Sequence, residues 1–238
     1  MAKLNHFFAA RRDIGEGLSL FVQTEVEYIF VVARSVYDLL QEVISHLWSG
    51  RVLLRDPGAE ARRKQHKLPK AFSDMVLKKG KLKSVDDMTD SYGLSSSMAG
   101  AYSQAAKIFV SIRDFRERIV HGGSEAPFVF VTEKGFCVSS EKSGFGSFDI
   151  WSDEHRFNDH LVSLLPLVAH VVFSSVEVCD KMILAFAQQV EFPPELVPGY
   201  RVFVRSHHNR ALRQVLDVLQ GGSPWWHDDS AAAHDSTV

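Results

Sequence analysis

The chain has 238 residues, 45% of them hydrophobic and 24% charged, and this balance excludes a disordered chain. The net charge of −2 excludes a protein that is basic throughout, and the two cysteines, Cys137 and Cys179, are too few for a disulfide scaffold or a cysteine-based zinc site. The most apolar run, residues 161–173, is too short to cross a membrane, so we expect a cytoplasmic protein without membrane contact.

Apolar residues at spacings of three and four predict a long amphipathic helix over residues 18–48 that ends near Gly50. Residues 51–83 follow as a basic connector, within which Pro69 opens a short helix over 70–79. The polar residues 86–92 favour a loop or a short turn.

The helical period returns over residues 101–121. Ser95 or Ser96 can cap the start of this helix, because a serine side chain accepts hydrogen bonds from the first free amides. Gly122 and Gly123 are expected to end it.

After the glycines the apolar period changes from helical to alternating, which predicts an antiparallel β-meander within residues 127–151. Its three strands are predicted at residues 128–132, 136–140 and 148–151. A third long helix is then expected over residues 153–189, kinked at Pro166.

The pattern as a whole predicts a mainly α fold, a helical bundle with a small antiparallel β-meander insertion. One helical domain is expected over residues 1–222, with a short strand near 200–204 and a short helix near 209–219, followed by a flexible tail over 223–238. Trp225 and Trp226 in that tail either dock on the bundle or anchor a partner, and docking is the favoured interpretation.

Positive charge is concentrated in the connector. Residues 51–83 contain 11 Lys or Arg and 3 Asp or Glu, a local charge of +8 in a chain whose remainder carries −10. Such a segment is either an RNA-binding track or a solvated connector, and Phe72 is its only aromatic residue. The candidate RNA-binding residues are Arg62, Arg63, Lys64, Lys67, Lys78, Lys79, Lys81 and Lys83.

One arginine on the helix at 101–121 departs from its amphipathic pattern. On a helical wheel with Ile112 at zero, Arg116 falls at roughly 40°, inside the apolar arc. Since an unpaired buried guanidinium is unfavourable, it needs a partner such as Glu27 or Asp38, or an aqueous cleft. His121 follows at the helix end.

The segment Arg116-Glu-Arg-Ile-Val-His121 resembles the Arg-x4–6-His signature of the HEPN superfamily, whose fold is an up-and-down four-helix bundle. The resemblance implies a homodimer with both motifs in one cleft, and metal-independent RNA cleavage by attack of the ribose 2′-OH. In that reaction His121 would transfer protons and Arg116 would stabilise the phosphate, with support from Glu117, Arg113, Glu27 and Asp38.

The sequence departs from the family pattern in two places. Glu117 stands where Asn, Asp or His is common, and Gly123 stands where a Tyr regulates many HEPN toxins. Arg113 is expected to pair with Glu117 at a spacing of four. A second Arg-x-His match begins at Arg201, but it follows sequence rich in Pro and Gly rather than a strong helix.

Two functions remain open at this level. The first is a HEPN-like endoribonuclease of a bacterial toxin or defence system, with an antidote or defence-system protein as a partner. The alternative is a non-catalytic HEPN-like module that binds RNA, a nucleotide or a protein. No cofactor or metal is expected, because no motif of metal ligands stands out, including the adjacent pair His207-His208.

Overall fold

The structure, a computed structural model, describes residues 2–50, 52–63, 67–121, 128–139, 145, 148–191 and 226. The described helices are α1 (Ala2–Ala9), α2 (Arg11–Ile14), α3 (Leu18–Trp48), α4 (Pro57–Arg63), α5 (Phe72–Val76), α6 (Val85–Tyr92), α7 (Ser96–His121) and α8 (Leu165–Gln189). The described strands are β1 (Leu53–Leu54), β2 (Leu77–Lys78), β3 (Lys81–Leu82), β4 (Phe130–Val131), β5 (Phe136–Ser139), β6 (Leu161–Ser163) and β7 (Val190–Glu191). The mainly α fold that the sequence predicts is confirmed.

The strands pair in three small antiparallel sheets. Strand β1 pairs with β7, and β2 pairs with β3 as a hairpin. The third sheet has the order β4-β5-β6, so Cys137 of β5 lies between Phe130 and Ser163.

The chain divides into two compact units, and the helices α3, α7 and α8 contribute residues to both. The first unit draws on residues 1–32, 111–173 and 205–238, and the second on 33–110 and 174–204. No helix among the described residues is both long enough and apolar enough to cross a membrane.

The first unit has an aromatic core. The Phe30 ring stacks on Phe115 with centroids 3.9 Å apart, and Phe115 contacts Phe145 at 4.8 Å. Phe148 meets Phe30 edge-on at 5.8 Å. These rings are buried together, which fixes the residues that precede His121 on α7 against the first half of α3.

The second unit is built around Phe72 of α5. Its ring lies 5.1 Å from Tyr37, 4.7 Å from Phe109 and 5.8 Å from Tyr102, measured between centroids. The Tyr102 hydroxyl donates to Oε1 of the buried Gln41 at 2.6 Å. Burial of four aromatic side chains at one place anchors the basic connector to the helices of this unit.

The predictions for the two long helices 18–48 and 101–121 are confirmed, although α7 starts five residues earlier, at Ser96. Ser95 is the cap, because its hydroxyl accepts a hydrogen bond from the amide of Met98 at 3.2 Å. Gly50 follows α3 at a φ of 112°, a conformation that favours glycine.

The loop predicted over residues 86–92 is wrong, because the segment forms helix α6. Ser84 and Asp87 make a capping box, in which the serine hydroxyl accepts from the Asp87 amide at 3.0 Å and the carboxylate accepts from the Ser84 amide at 3.1 Å. Gly93 ends the helix with a left-handed φ of 68°. The two caps thus stabilise a helix that has few apolar residues.

The helix predicted over residues 70–79 is shorter, since α5 ends at Val76 and the chain continues into the β2–β3 hairpin. Lys79 and Gly80 form its two-residue turn, both with positive φ. A two-residue turn with positive φ matches the twist of an antiparallel pair of strands. Glycine adopts positive φ without strain, which explains Gly80.

The third strand of the meander and the start of the third helix are corrected. Residues 148–150 are not a strand, and Leu161–Ser163 takes that place beside β5. Helix α8 therefore begins at Leu165 rather than near 153. Pro166 lies in the first turn of α8, where backbone amides make no hydrogen bond within the helix, so its missing N–H costs nothing. It therefore marks the start of the helix instead of a kink.

Trp226 is the one residue of the C-terminal tail that the structure describes. Its indole N–H donates to the Glu154 carbonyl at 3.3 Å, its ring lies 6.2 Å from Phe157, and the Lys134 ammonium is 5.8 Å from the ring. These contacts agree with docking of the tail. Predictions for residues 122–123, 200–204, 209–219 and the rest of the tail lie outside the described residues.

Candidate functional site

The apolar face predicted for α7 is confirmed at the positions whose side chains the structure describes. Ile112 and Phe115 are buried, and Phe115 stacks on Phe30. Arg116 is the next residue and is half-buried. Within the part of the chain that the structure describes, its guanidinium, which carries five N–H donors, makes no hydrogen bond or ion pair.

Arg113 and Glu117 pair as the spacing predicts, with Arg113 Nε 3.3 Å from a Glu117 carboxylate oxygen. Arg113 also reaches Asp114, with Nη2 3.0 Å from its carboxylate. Arg113 therefore offsets part of the negative charge of Glu117, the residue that departs from the family pattern. An anion near Arg116 meets less repulsion than the sequence alone suggests.

Glu27 and Asp38, the two acids considered as partners for Arg116, have other partners. Gln23 Nε2 donates to Glu27 at 3.1 Å. In the second unit, Asp38 pairs with Arg34 at 2.6 Å and accepts from the Phe72 amide at 3.1 Å. Asp38 thus holds α5 on α3.

His121 is the last residue of α7, and its side chain lies outside the described atoms. Its backbone lies five residues after Arg116, at the C-terminal end of the helix. The two candidate catalytic residues are therefore joined by a continuous helical backbone.

The candidate RNA-binding residues near α4 divide into two kinds. Arg63 is a structural residue: its side chain is 8% exposed, pairs with Glu60 and donates to the Val52 carbonyl. Arg62 and Lys67 are exposed, and Arg62 lies 3.4 Å from the exposed Asp56. Lys64 lies outside the described residues.

The β2–β3 hairpin carries a cluster of positive charge. Lys78, Lys79 and Lys81 are all exposed, and Lys78 lies directly opposite Lys81 in the strand register. Like charges at paired positions are destabilising, so this arrangement favours a bound anion. Lys83 differs, because its ammonium donates to the Asp74 carbonyl and to the Tyr92 hydroxyl, each at 2.6 Å.

Acidic groups beside the hairpin reduce its field only in part. Hydrogen bonds from Ser84, with smaller contributions from Lys78 and Lys83, hold the pKa of Asp87 below its ordinary value. Asp87 is therefore ionised at neutral pH and belongs to the α6 cap. The three hairpin lysines that point to solvent keep their net charge.

The described side chains give little support for metal binding or nucleophilic catalysis. Residues with described side chains form no group of three or more His, Cys, Asp or Glu that would hold a metal ion. Burial raises the pKa of the Cys137 thiol to about 11, which makes it a poor nucleophile. Desolvation lowers the pKa of both His155 and His170.

The second unit contains an open cavity that the sequence did not predict. It has a volume of about 450 Å³ and lies between the end of α3, α4 and the loop before α5. His46, Trp48, Arg63, Lys67 and Lys70 are among its lining residues. These residues are dispersed in sequence, so only the cluster of basic residues after α4 pointed toward the region.

No protein-family model matches this chain, and no curated protein or solved structure gives a significant match. The likeness to HEPN proteins therefore depends on the residues of α7 alone.

Proposed function

We propose that the chain is a HEPN-like, metal-independent endoribonuclease that uses Arg116 and His121. The observation that carries this proposal is the state of Arg116, a half-buried guanidinium without a partner among the described residues, beside Phe115 and five residues before His121. A phosphate diester supplies the bidentate acceptor that such a guanidinium needs.

The chemistry requires no added reactant. The ribose 2′-oxygen loses its proton to a base and forms a bond to the adjacent phosphorus, while the bond from phosphorus to the 5′-oxygen breaks. The leaving 5′-oxygen takes a proton, which gives a 2′,3′-cyclic phosphate and a 5′-hydroxyl. An imidazole at His121 suits both proton transfers near neutral pH, and Arg116 stabilises the negative charge that develops on the phosphoryl oxygens.

The basic residues of the second unit bind the RNA backbone in this proposal. Lys78, Lys79 and Lys81 are exposed on one hairpin, and Arg62 and Lys67 are exposed nearby in sequence. Phosphate contacts of this kind provide affinity without base specificity. A second protomer completes the cleft, as the resemblance implies, and an antidote or defence-system protein is the natural partner of such a nuclease.

The test is cleavage of a labelled RNA by purified protein in EDTA. We expect cleavage by the wild type and a loss of roughly 10²–10⁴ in rate for Arg116→Ala and for His121→Ala. Arg118→Ala is the matched control, because Arg118 is an exposed arginine on the same helix and its loss should leave the rate within a factor of about two. Mass spectrometry identifies the 2′,3′-cyclic phosphate, because its mass is lower by one water than that of the linear phosphate.

A second candidate function is RNA binding without cleavage, which the Lys78–Lys81 pairing favours. The same preparations separate the two functions. A salt-sensitive RNA complex, with no cleavage in EDTA or in Mg²⁺, would replace the nuclease proposal with the binding module. Equal cleavage by wild type and by both point variants would refute the assignment of Arg116 and His121.

A further inference from the structure

Hydrogen bonds fix the walls of the open cavity in the second unit. Ser45 Oγ, near the end of α3, donates to the Leu68 carbonyl at 3.1 Å, which ties the loop before α5 to α3. Arg63 of α4 donates to the Val52 carbonyl, which ties α4 to the segment that follows α3. The volume of about 450 Å³ falls within the range of roughly 300–1,000 Å³ that is typical of small-molecule sites. The cavity is therefore preformed and of a suitable size.

Two buried side chains with hydrogen-bond donors line this cavity. Trp48 is 1% exposed, and its Nε1 has no hydrogen-bond partner among the residues that the structure describes. A buried indole N–H normally has an acceptor, so this one indicates a place for a ligand atom. The side chain of Arg63 is 8% exposed, and only two of its five N–H groups are needed for its bonds to Val52 and Glu60. A fixed cation and an unpartnered donor in one lining favour an acceptor with negative charge.

The charges in the lining set the charge of the ligand. The charged residues that the structure describes there are Glu42, Glu60, Arg63, Lys67 and Lys70. Arg63 pairs with Glu60, so two ammonium groups and one carboxylate remain, a net charge of +1 with His46 counted as neutral. A ligand with a single negative charge matches this excess. A carboxylate has one negative charge at neutral pH, whereas a phosphate monoester has nearly two.

The same lining also offers apolar surface. Leu68 is apolar, and the exposed Lys67 and Lys70 have four-carbon stems that end in the charged group. Such stems can pack on a planar ring while the ammonium groups meet its acidic substituent. Apolar walls with a few charged or polar groups are the usual composition of a site for a small organic molecule.

We propose that this cavity binds a small aromatic carboxylate. The ammonium groups of Lys67 and Lys70 and the indole N–H of Trp48 bind the carboxylate, and the ring packs on Leu68 and the lysine stems. The inference goes beyond RNA cleavage and does not depend on it, because neither Arg116 nor His121 is among the lining residues.

Isothermal titration calorimetry with 2-naphthoate tests the site, and 2-naphthamide is the matched probe without charge. We expect 2-naphthoate to bind and 2-naphthamide to bind at least roughly tenfold more weakly, because hydrogen bonds to a charged acceptor are stronger. Lys70→Gln should weaken 2-naphthoate binding by roughly 5–10-fold, whereas Glu42→Gln should strengthen it by roughly 2–3-fold, because it removes a like charge. Lys78→Gln is the matched control, since Lys78 is an exposed lysine of the β2–β3 hairpin outside the lining, and its affinity should stay within a factor of about two.

Nuclear magnetic resonance locates the bound probe through the tryptophan indole N–H signals. Addition of 2-naphthoate should shift the signal of Trp48 and leave that of Trp151, whose N–H donates to the Ser163 carbonyl in the first unit. Trp48→Phe assigns the signal, and if that variant does not fold, substitution of the other three tryptophans assigns it by elimination.

Four results would overturn the proposal. They are no binding of 2-naphthoate at millimolar concentration, equal affinity for 2-naphthamide, an affinity that neither Lys70→Gln nor Glu42→Gln changes, and a shift at Trp151 without one at Trp48. Inorganic phosphate that displaces 2-naphthoate more effectively than benzoate does would overturn the assignment to a carboxylate.

Discussion

Removing the Tyr102 hydroxyl tests how the basic connector is anchored to α3. Tyr102 and Gln41 are both fully buried, and the hydroxyl donates to Gln41 Oε1 at 2.6 Å. Gln41 Nε2 in turn donates to the Pro69 carbonyl at 2.7 Å, which fixes the loop before α5. Tyr102→Phe keeps the ring but leaves a buried amide oxygen without a donor, so we expect a loss of about 1–3 kcal/mol in the free energy of unfolding.

Urea unfolding followed by circular dichroism measures this loss as a lower midpoint, by roughly 0.5–1 M. Ser97→Ala is the control, because Ser97 is exposed on the same helix as Tyr102 and removal of its hydroxyl should change stability by less than about 0.5 kcal/mol. Gln41→Leu should cost less in the Tyr102→Phe background than in the wild type, since the bond is already broken. A Tyr102→Phe protein as stable as the control would refute the reasoning.

Two further predictions concern salt and pH. Replacing Lys78, Lys79 and Lys81 together by Gln should weaken RNA binding and reduce the slope of log K against log salt by about 2, measured by fluorescence anisotropy, whereas Lys83→Gln should mainly lower the melting temperature. Desolvation lowers the pKa of His170 below its ordinary value of 6.5, so the unfolded chain binds this proton more readily and stability should fall as the pH drops below about 6.5. Melting curves between pH 5 and 8 should show a smaller fall for His170→Gln, and an unchanged pH profile would contradict the assignment.

The long helices were predictable because their signals are local. The spacing of apolar residues over 18–48 fixes α3 within the chain itself, and the same holds for most of α7. Helix α6 was missed although its signals were present, since Ser84, Asp87 and Gly93 cap a segment whose polar composition favours a loop. In the structure, the caps decide the conformation of this segment and its polar composition does not.

Strand pairing was less predictable because it depends on residues far apart in the chain. Residues 148–150 have the alternation of a strand, but Leu161–Ser163 forms hydrogen bonds with β5 instead. The Trp151 indole N–H donates to the Ser163 carbonyl at 2.9 Å, so the segment packs on the sheet without joining it. An alternating pattern gives an extended chain but does not choose between two nearby candidates for one sheet edge.

The candidate site shows the same contrast between local features, which the sequence predicts, and long-range contacts, which it does not. The wheel position of Arg116 predicted a guanidinium inside the apolar arc, and its side chain is half-buried in the structure. The role of Arg63 was not predictable from the run of basic residues that contains it. Its partners Glu60 and Val52 meet it only when α4 packs against the chain before it, and that packing turns a candidate RNA contact into a structural one.

Helix α3 joins these two lessons. The apolar arc of α3 is wider than the part that the core covers. The spacing of apolar residues therefore predicts the helix but not which part of the arc meets the core. The structure places Phe30 and Tyr37 in the core and leaves Tyr28 and Leu39 exposed. That choice depends on helices far away in the sequence, which no local period encodes.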